Sequence, residues 1–87
     1  MLFRSNLQGT GAGDAQSGTN VNAFGVDAAK NNTGNFVNAI GYNAAKFNTS
    51  NYVNAFGYGA GEGNQGANIN AFGYGAASGQ KIGRAHV

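Results

Sequence analysis

The chain has 87 residues, of which sixteen are glycine and none is proline or cysteine. That length suits one small domain, and the missing cysteines exclude a disulfide scaffold. Only 9% of residues are charged, so solubility rests on asparagine, serine, threonine and the backbone, and no run of about 18 apolar residues exists to span a membrane as a helix.

In chain order, one motif recurs. A worn copy comes first, with Asn6, Gly9, Gly11, Ala12 and Gly13 in register with later copies. Val21-Asn22-Ala23-Phe24-Gly25-Val26-Asp27-Ala28 comes next, then Val37-Asn38-Ala39-Ile40-Gly41-Tyr42-Asn43-Ala44. Val53-Asn54-Ala55-Phe56-Gly57-Tyr58-Gly59-Ala60 and Ile69-Asn70-Ala71-Phe72-Gly73-Tyr74-Gly75-Ala76 complete the series. Positions 24, 40, 56 and 72 give a period of 16. A fixed short period predicts a solenoid, each repeat being one coil that cannot bury its apolar face alone. The expected architecture is an all-β β-solenoid with coils over 5–20, 21–36, 37–52, 53–68 and 69–80.

The two ends break this register. One sequencing-adapter oligonucleotide, AGATCGGAAGAGCACACGTC, encodes Ile-Gly-Arg-Ala-His-Val in one frame, which is Ile82 to Val87. Its reverse complement, with GTG as start codon, encodes Met-Leu-Phe-Arg-Ser, which is Met1 to Ser5. The expectation is that 1–5 and 81–87 are adapter-derived and that 6–80 is the natural repeat, and such ends are set aside from fold reasoning. The alternative is natural irregular ends. Without the end residues, the formal charge of +2 reduces to Lys30 and Lys46 against Asp14, Asp27 and Glu62. No basic footprint for nucleic acid or an anionic membrane is then left.

Each coil reads in four parts. Val-Asn-Ala-Phe alternates as a short strand should. Gly9, Gly25, Gly41, Gly57 and Gly73 form one column, predicted to mark a bend or a positive φ. The stretch from Tyr42, Tyr58 or Tyr74 to Ala44, Ala60 or Ala76 is predicted to be a second short strand. A polar turn closes the coil, as in Asn31-Asn32-Thr33-Gly34, Asn48-Thr49-Ser50-Asn51 and Asn64-Gln65-Gly66. A helix is rejected because each interior glycine costs about 1 kcal/mol against alanine. A hairpin meander is disfavoured because like residues stack on like only if every copy points the same way.

Stacking assigns the columns. Val21, Ala23, Val37, Ala39, Val53, Ala55, Ile69 and Ala71 are the predicted inner core, narrow enough for larger side chains to overpack. Asn22, Asn38, Asn54 and Asn70 read either as an amide ladder or as plain surface polarity. Phe24, Ile40, Phe56 and Phe72 then point outward as an apolar stripe, unless the strand bulges and buries the rings. An outward stripe of this size is a partner surface.

On these residues the repeat resembles the head of trimeric autotransporter adhesins, the YadA-like head. Asn38 to Gly41 and Asn54 to Gly57 match that family's Val-Ala-Ile-Gly portion, and Gly57 to Ala60 and Gly73 to Gly79 match the family's next portion. The resemblance implies a left-handed parallel β-roll with three chains side by side, in which Phe24, Ile40, Phe56 and Phe72 take the place of the trimer-facing isoleucine. It further implies a homotrimer on a bacterial cell surface, meeting a host-surface or extracellular-matrix ligand. Asparagine for valine, phenylalanine for isoleucine and a slightly long period depart from the family pattern. Phage tail-fibre proteins carry similar repeats, so a phage fibre is the alternative parent.

Chemistry is not expected. Asp14, Asp27 and Glu62 belong to three different coils, and calcium-binding solenoids need an aspartate in each copy. Gly9-Thr10-Gly11-Ala12-Gly13 lacks the lysine and the strand-to-helix setting of a phosphate loop. The expectations are therefore no catalytic residue, no cofactor, no metal, no nucleic-acid partner and no membrane contact. Two rival classes are a disordered phenylalanine-glycine segment, which needs no strict register, and an ice-binding solenoid, which needs a flat threonine or asparagine array.

Overall fold

A computed structural model describes residues 5–66 and 68–79. Five parallel strands form one sheet in chain order over about four turns: β1 Asn6–Gln8, β2 Val21–Phe24, β3 Val37–Ile40, β4 Val53–Phe56 and β5 Ile69–Phe72. No helix occurs among the described residues. Each strand pairs with its counterpart 16 residues on, so Val21 lies beside Val37, Asn38 beside Asn54 and Phe56 beside Phe72. The protein is a β-solenoid. Matched register is forced by period-two alternation, since a slip of one residue would turn the alanines out and the rings in.

Alternation decides the inside. Val21, Ala23, Val37, Ala39, Val53, Ala55, Ile69 and Ala71 are all fully buried, joined by Ala28, Ala44, Ala60, Ala29 and Ala45 from the far side of the coil. The interior is thus closed largely by methyl groups, which lets opposite walls of a 16-residue coil approach each other.

The second strand expected after the column glycine does not form. From Gly25 onward the chain makes overlapping turns: Ala28 N–H donates to Gly25 O, Lys30 N–H to Asp27 O and Asn32 N–H to Ala29 O, at 3.1–3.3 Å. The third residue of each turn, Asp27, Ala29 and Asn31, has φ of 57–60°, as a type II turn requires. Alternate amides leave the coil instead. Asp27 N–H reaches Thr10 O and Asn31 N–H reaches Asp14 O in the coil before, while Ala29 N–H reaches Ala44 O in the coil after. The amides of Gly25 and of Asp27 to Asn32 all find carbonyl partners without extended geometry, and so a ladder runs here with no strand. Left-handed backbone costs an L-residue roughly 1–2 kcal/mol, and the inter-coil bonds offset it. Where glycines replace these residues, as Gly59, Gly61 and Gly63 do (φ 67–69°), the strain is absent.

The column glycines act through space as well as φ. Gly25 has φ of 131°, and a Cβ there would lie 2.7 Å from Gly41 O in the next coil. Gly41 and Gly57 repeat the same approach.

Of the stretches expected to be adapter-derived, 1–4 and 81–87 lie outside the described residues. Ser5 is described, and its Oγ accepts the Val21 amide at 3.2 Å. Its hydroxyl therefore joins the ladder in the valine column rather than merely interrupting it.

Candidate interaction surface

The outward residues of the sheet and its flanks form three aromatic columns. Phe24, Ile40, Phe56 and Phe72 stand on the strands with 37–49% of their surface exposed. The strands alternate without a bulge, so these side chains point away from the core. Phe56 and Phe72 stack with ring centroids 5.1 Å apart and planes 13° from parallel. Beyond the glycine bend stand Val26, Tyr42, Tyr58 and Tyr74. Tyr42–Tyr58 and Tyr58–Tyr74 each stack at 4.9 Å, within 7° of parallel. Ahead of the strand, Phe36 and Tyr52 stack at 5.1 Å, held at the corner by φ of 58° and 61°.

The sheet spacing explains these distances. Successive strands lie about 4.7–4.9 Å apart, so identical rings in one column are brought into stacking contact without further design. The sequence reading expects only the Phe24–Phe72 column as an exposed stripe. It places the tyrosines on a second strand, although their own 16-residue spacing at 42, 58 and 74 is the signal that they too form a column.

Asparagine separates and braces these columns. Asn6, Asn22, Asn38 and Asn54 each donate a side-chain N–H to Oδ1 of the next asparagine, ending at Asn70, at 2.8–3.2 Å. Of the two readings left open by the sequence, this is the amide ladder. A second row goes beyond the sequence expectation. Asn32, Asn48 and Asn64, expected in a polar turn, are fully buried and bonded to one another at 2.7 and 3.0 Å.

Among the described residues, charge is kept off the aromatic columns. Asp14, Lys30, Lys46 and Glu62 share one column and Asp27 lies three residues before Lys30 in its coil; Lys46 approaches Asp27 at 4.0 Å and covers Phe47 at 5.2 Å. Val, Ile, Phe, Tyr and Asn fill the strand face and the two flanking columns in coils two to four. Among the described residues there is no pocket, and no group of three side chains is placed to hold a metal. The column glycines Gly9, Gly25, Gly41, Gly57 and Gly73 all have φ between 119° and 133°, and they set the bend between the phenylalanine and tyrosine columns.

The fold and this surface define a class, a repetitive β-solenoid that displays uncharged aromatic columns. No protein-family model, curated protein or solved structure matches the chain.

Proposed function

We propose that the chain is a structural, non-catalytic repeat segment of a fibrous adhesin head on a bacterial cell surface, and that it assembles as a homotrimer through its aromatic face. The observation that carries this reading is the unbroken exposed column of Phe24, Ile40, Phe56 and Phe72, away from the charges among the described residues.

Area argues for the whole face rather than one column. A fully exposed aromatic side chain offers roughly 150–250 Å². Four that are about two-fifths exposed leave on the order of 300 Å², no more than the largest patch on an ordinary monomer. Adding Tyr42, Tyr58, Tyr74, Phe36 and Tyr52, each 45% exposed or more, brings the total to on the order of 900 Å². A standard interface uses about 800 Å² per partner. The outer parts of each coil would then be free to meet a ligand on a host surface.

Sedimentation velocity on the full chain tests this directly. A trimer is expected, and replacing Phe56 and Phe72 by serine should give a folded monomer with unchanged β signal in circular dichroism. A wild-type chain that sediments as a monomer at all accessible concentrations would overturn the proposal.

A further inference from the structure

Tyr42, Tyr58 and Tyr74 are placed for a covalent chemistry that adhesion does not require. Each is exposed, by 45%, 49% and 83% in turn, and each ring lies 4.9 Å from the next in the same column. The chain has neither cysteine nor tryptophan. No disulfide can therefore staple its coils, and no thiol or indole competes for a one-electron oxidant. We propose that this column, in the chain before assembly covers its aromatic face, is a site of oxidative tyrosine coupling, in which a peroxidase-type oxidant using hydrogen peroxide joins successive coils through a dityrosine bond.

The step balances in atoms and electrons. Each of two neighbouring phenols loses one electron and its hydroxyl proton, giving two phenoxyl radicals. Their ortho ring carbons form one carbon–carbon bond, and each ring then moves its ortho hydrogen to oxygen and becomes a phenol again. The pair has lost two electrons and two protons in all, which reduce one hydrogen peroxide to two waters. Coupling needs the rings to turn from stacked to edge-to-edge, and exposed side chains reorient within picoseconds to nanoseconds. The backbone need not move, because the sheet already holds the two coils at pairing distance.

The column also fixes which pairs react. Tyr58 neighbours both others, whereas Tyr42 and Tyr74 are two coils apart. Tyr52 is exposed as well, but its stacking partner is Phe36, which cannot couple. It is an internal control for exposure without a tyrosine neighbour.

The experiment treats dilute full-length chain with peroxidase and hydrogen peroxide. It reads dityrosine fluorescence, size on a denaturing gel and the linked peptides by mass spectrometry. The expected product is monomer-sized and carries a Tyr42–Tyr58 or Tyr58–Tyr74 link, with a raised melting temperature. Tyr58→Phe should abolish the intrachain product while circular dichroism stays unchanged. Tyr52→Phe should leave the yield intact, and Tyr42→Phe should leave only the Tyr58–Tyr74 link. Equal intrachain coupling in Tyr58→Phe and wild type would overturn the proposal. So would coupling that appears only as covalent dimers.

Discussion

Asn32, Asn48 and Asn64 stand inside the coil, and Asn22, Asn38, Asn54 and Asn70 stand on the outer face of the sheet. Both rows repeat every 16 residues, and both join neighbours through one Nδ2–H to Oδ1 bond near 3 Å. Their surroundings differ. In the inner row, Asn48 donates to Asn32 Oδ1 and to Ser50 O, and its Oδ1 accepts from Ser50 N and from Asn64 Nδ2. That uses all four bonding positions of the amide. In the outer row the asparagines are only partly covered, so water can serve whatever the ladder leaves open. A repeated side-chain bond is thus structural where burial makes its loss uncompensated, and replaceable where solvent stands in.

The largest expected effect breaks the inner row. Asn48→Ala deletes four hydrogen bonds and leaves Asn32 Oδ1, Asn64 Nδ2 and the Ser50 backbone short of partners in the buried interior. Each buried unmet group costs about 1–3 kcal/mol, a large share of the roughly 5–15 kcal/mol that holds a domain together. Denaturant unfolding should show a loss of several kcal/mol, or no folded protein. A change below about 1 kcal/mol would mean that water enters the coil and replaces the amide.

Burial of these asparagines explains where the sequence was readable. The solenoid, its register and its inner valine and alanine columns all follow from period 16 combined with period two, because both act through side-chain direction. Asn32 looks like a turn residue because Asn-Asn-Thr-Gly is turn chemistry, and locally it is one: Gly34 N–H donates to Asn32 Oδ1 across two residues. Which way that turn faces depends on the coil closing, and composition does not carry that. The missed strand has a similar cause. Tyr-Asn-Ala-Ala gives no sign of left-handed φ at Asn43 and Ala45, yet the equivalent Gly59 and Gly61 in the next coil do. Reading the column rather than the row, with glycine at alternate positions in one coil and Asn or Ala in another, points to turns. The aromatic face is half legible. Phe24 to Phe72 follow from strand alternation, whereas the tyrosines follow only once the bend at the column glycine is known.

A middle-sized effect sharpens the contrast from the outer side. Asn38→Ala removes its bonds with Asn22 and Asn54, but both freed groups can turn to solvent. The expected cost is about 1–3 kcal/mol, two ordinary hydrogen bonds at a net value of about 0.5–1.5 kcal/mol each. Measured in the same unfolding experiment, the ratio of the Asn48→Ala loss to the Asn38→Ala loss is the test. Equal losses would mean that the ladder bond itself, rather than its burial, sets the cost.

The smallest effect has the opposite sign. Ser50 occupies a column otherwise held by Gly18, Gly34 and Gly66, it is 5% exposed, and its Oγ is buried without a partner. Its backbone nonetheless makes the same two bonds to Asn48 that Gly34 makes to Asn32. The hydroxyl therefore adds desolvation cost and gives nothing to the row. Ser50→Ala keeps the Cβ, keeps both backbone bonds and removes the orphaned oxygen. Stability should rise by up to about 1 kcal/mol, the low end of what an unmet buried hydroxyl costs. For a domain of this size that is a melting-temperature gain of about 4–8 °C. A fall in melting temperature would assign Ser50 Oγ a bonding role through water, and would extend the buried polar row from asparagine alone to the residue two places beyond it.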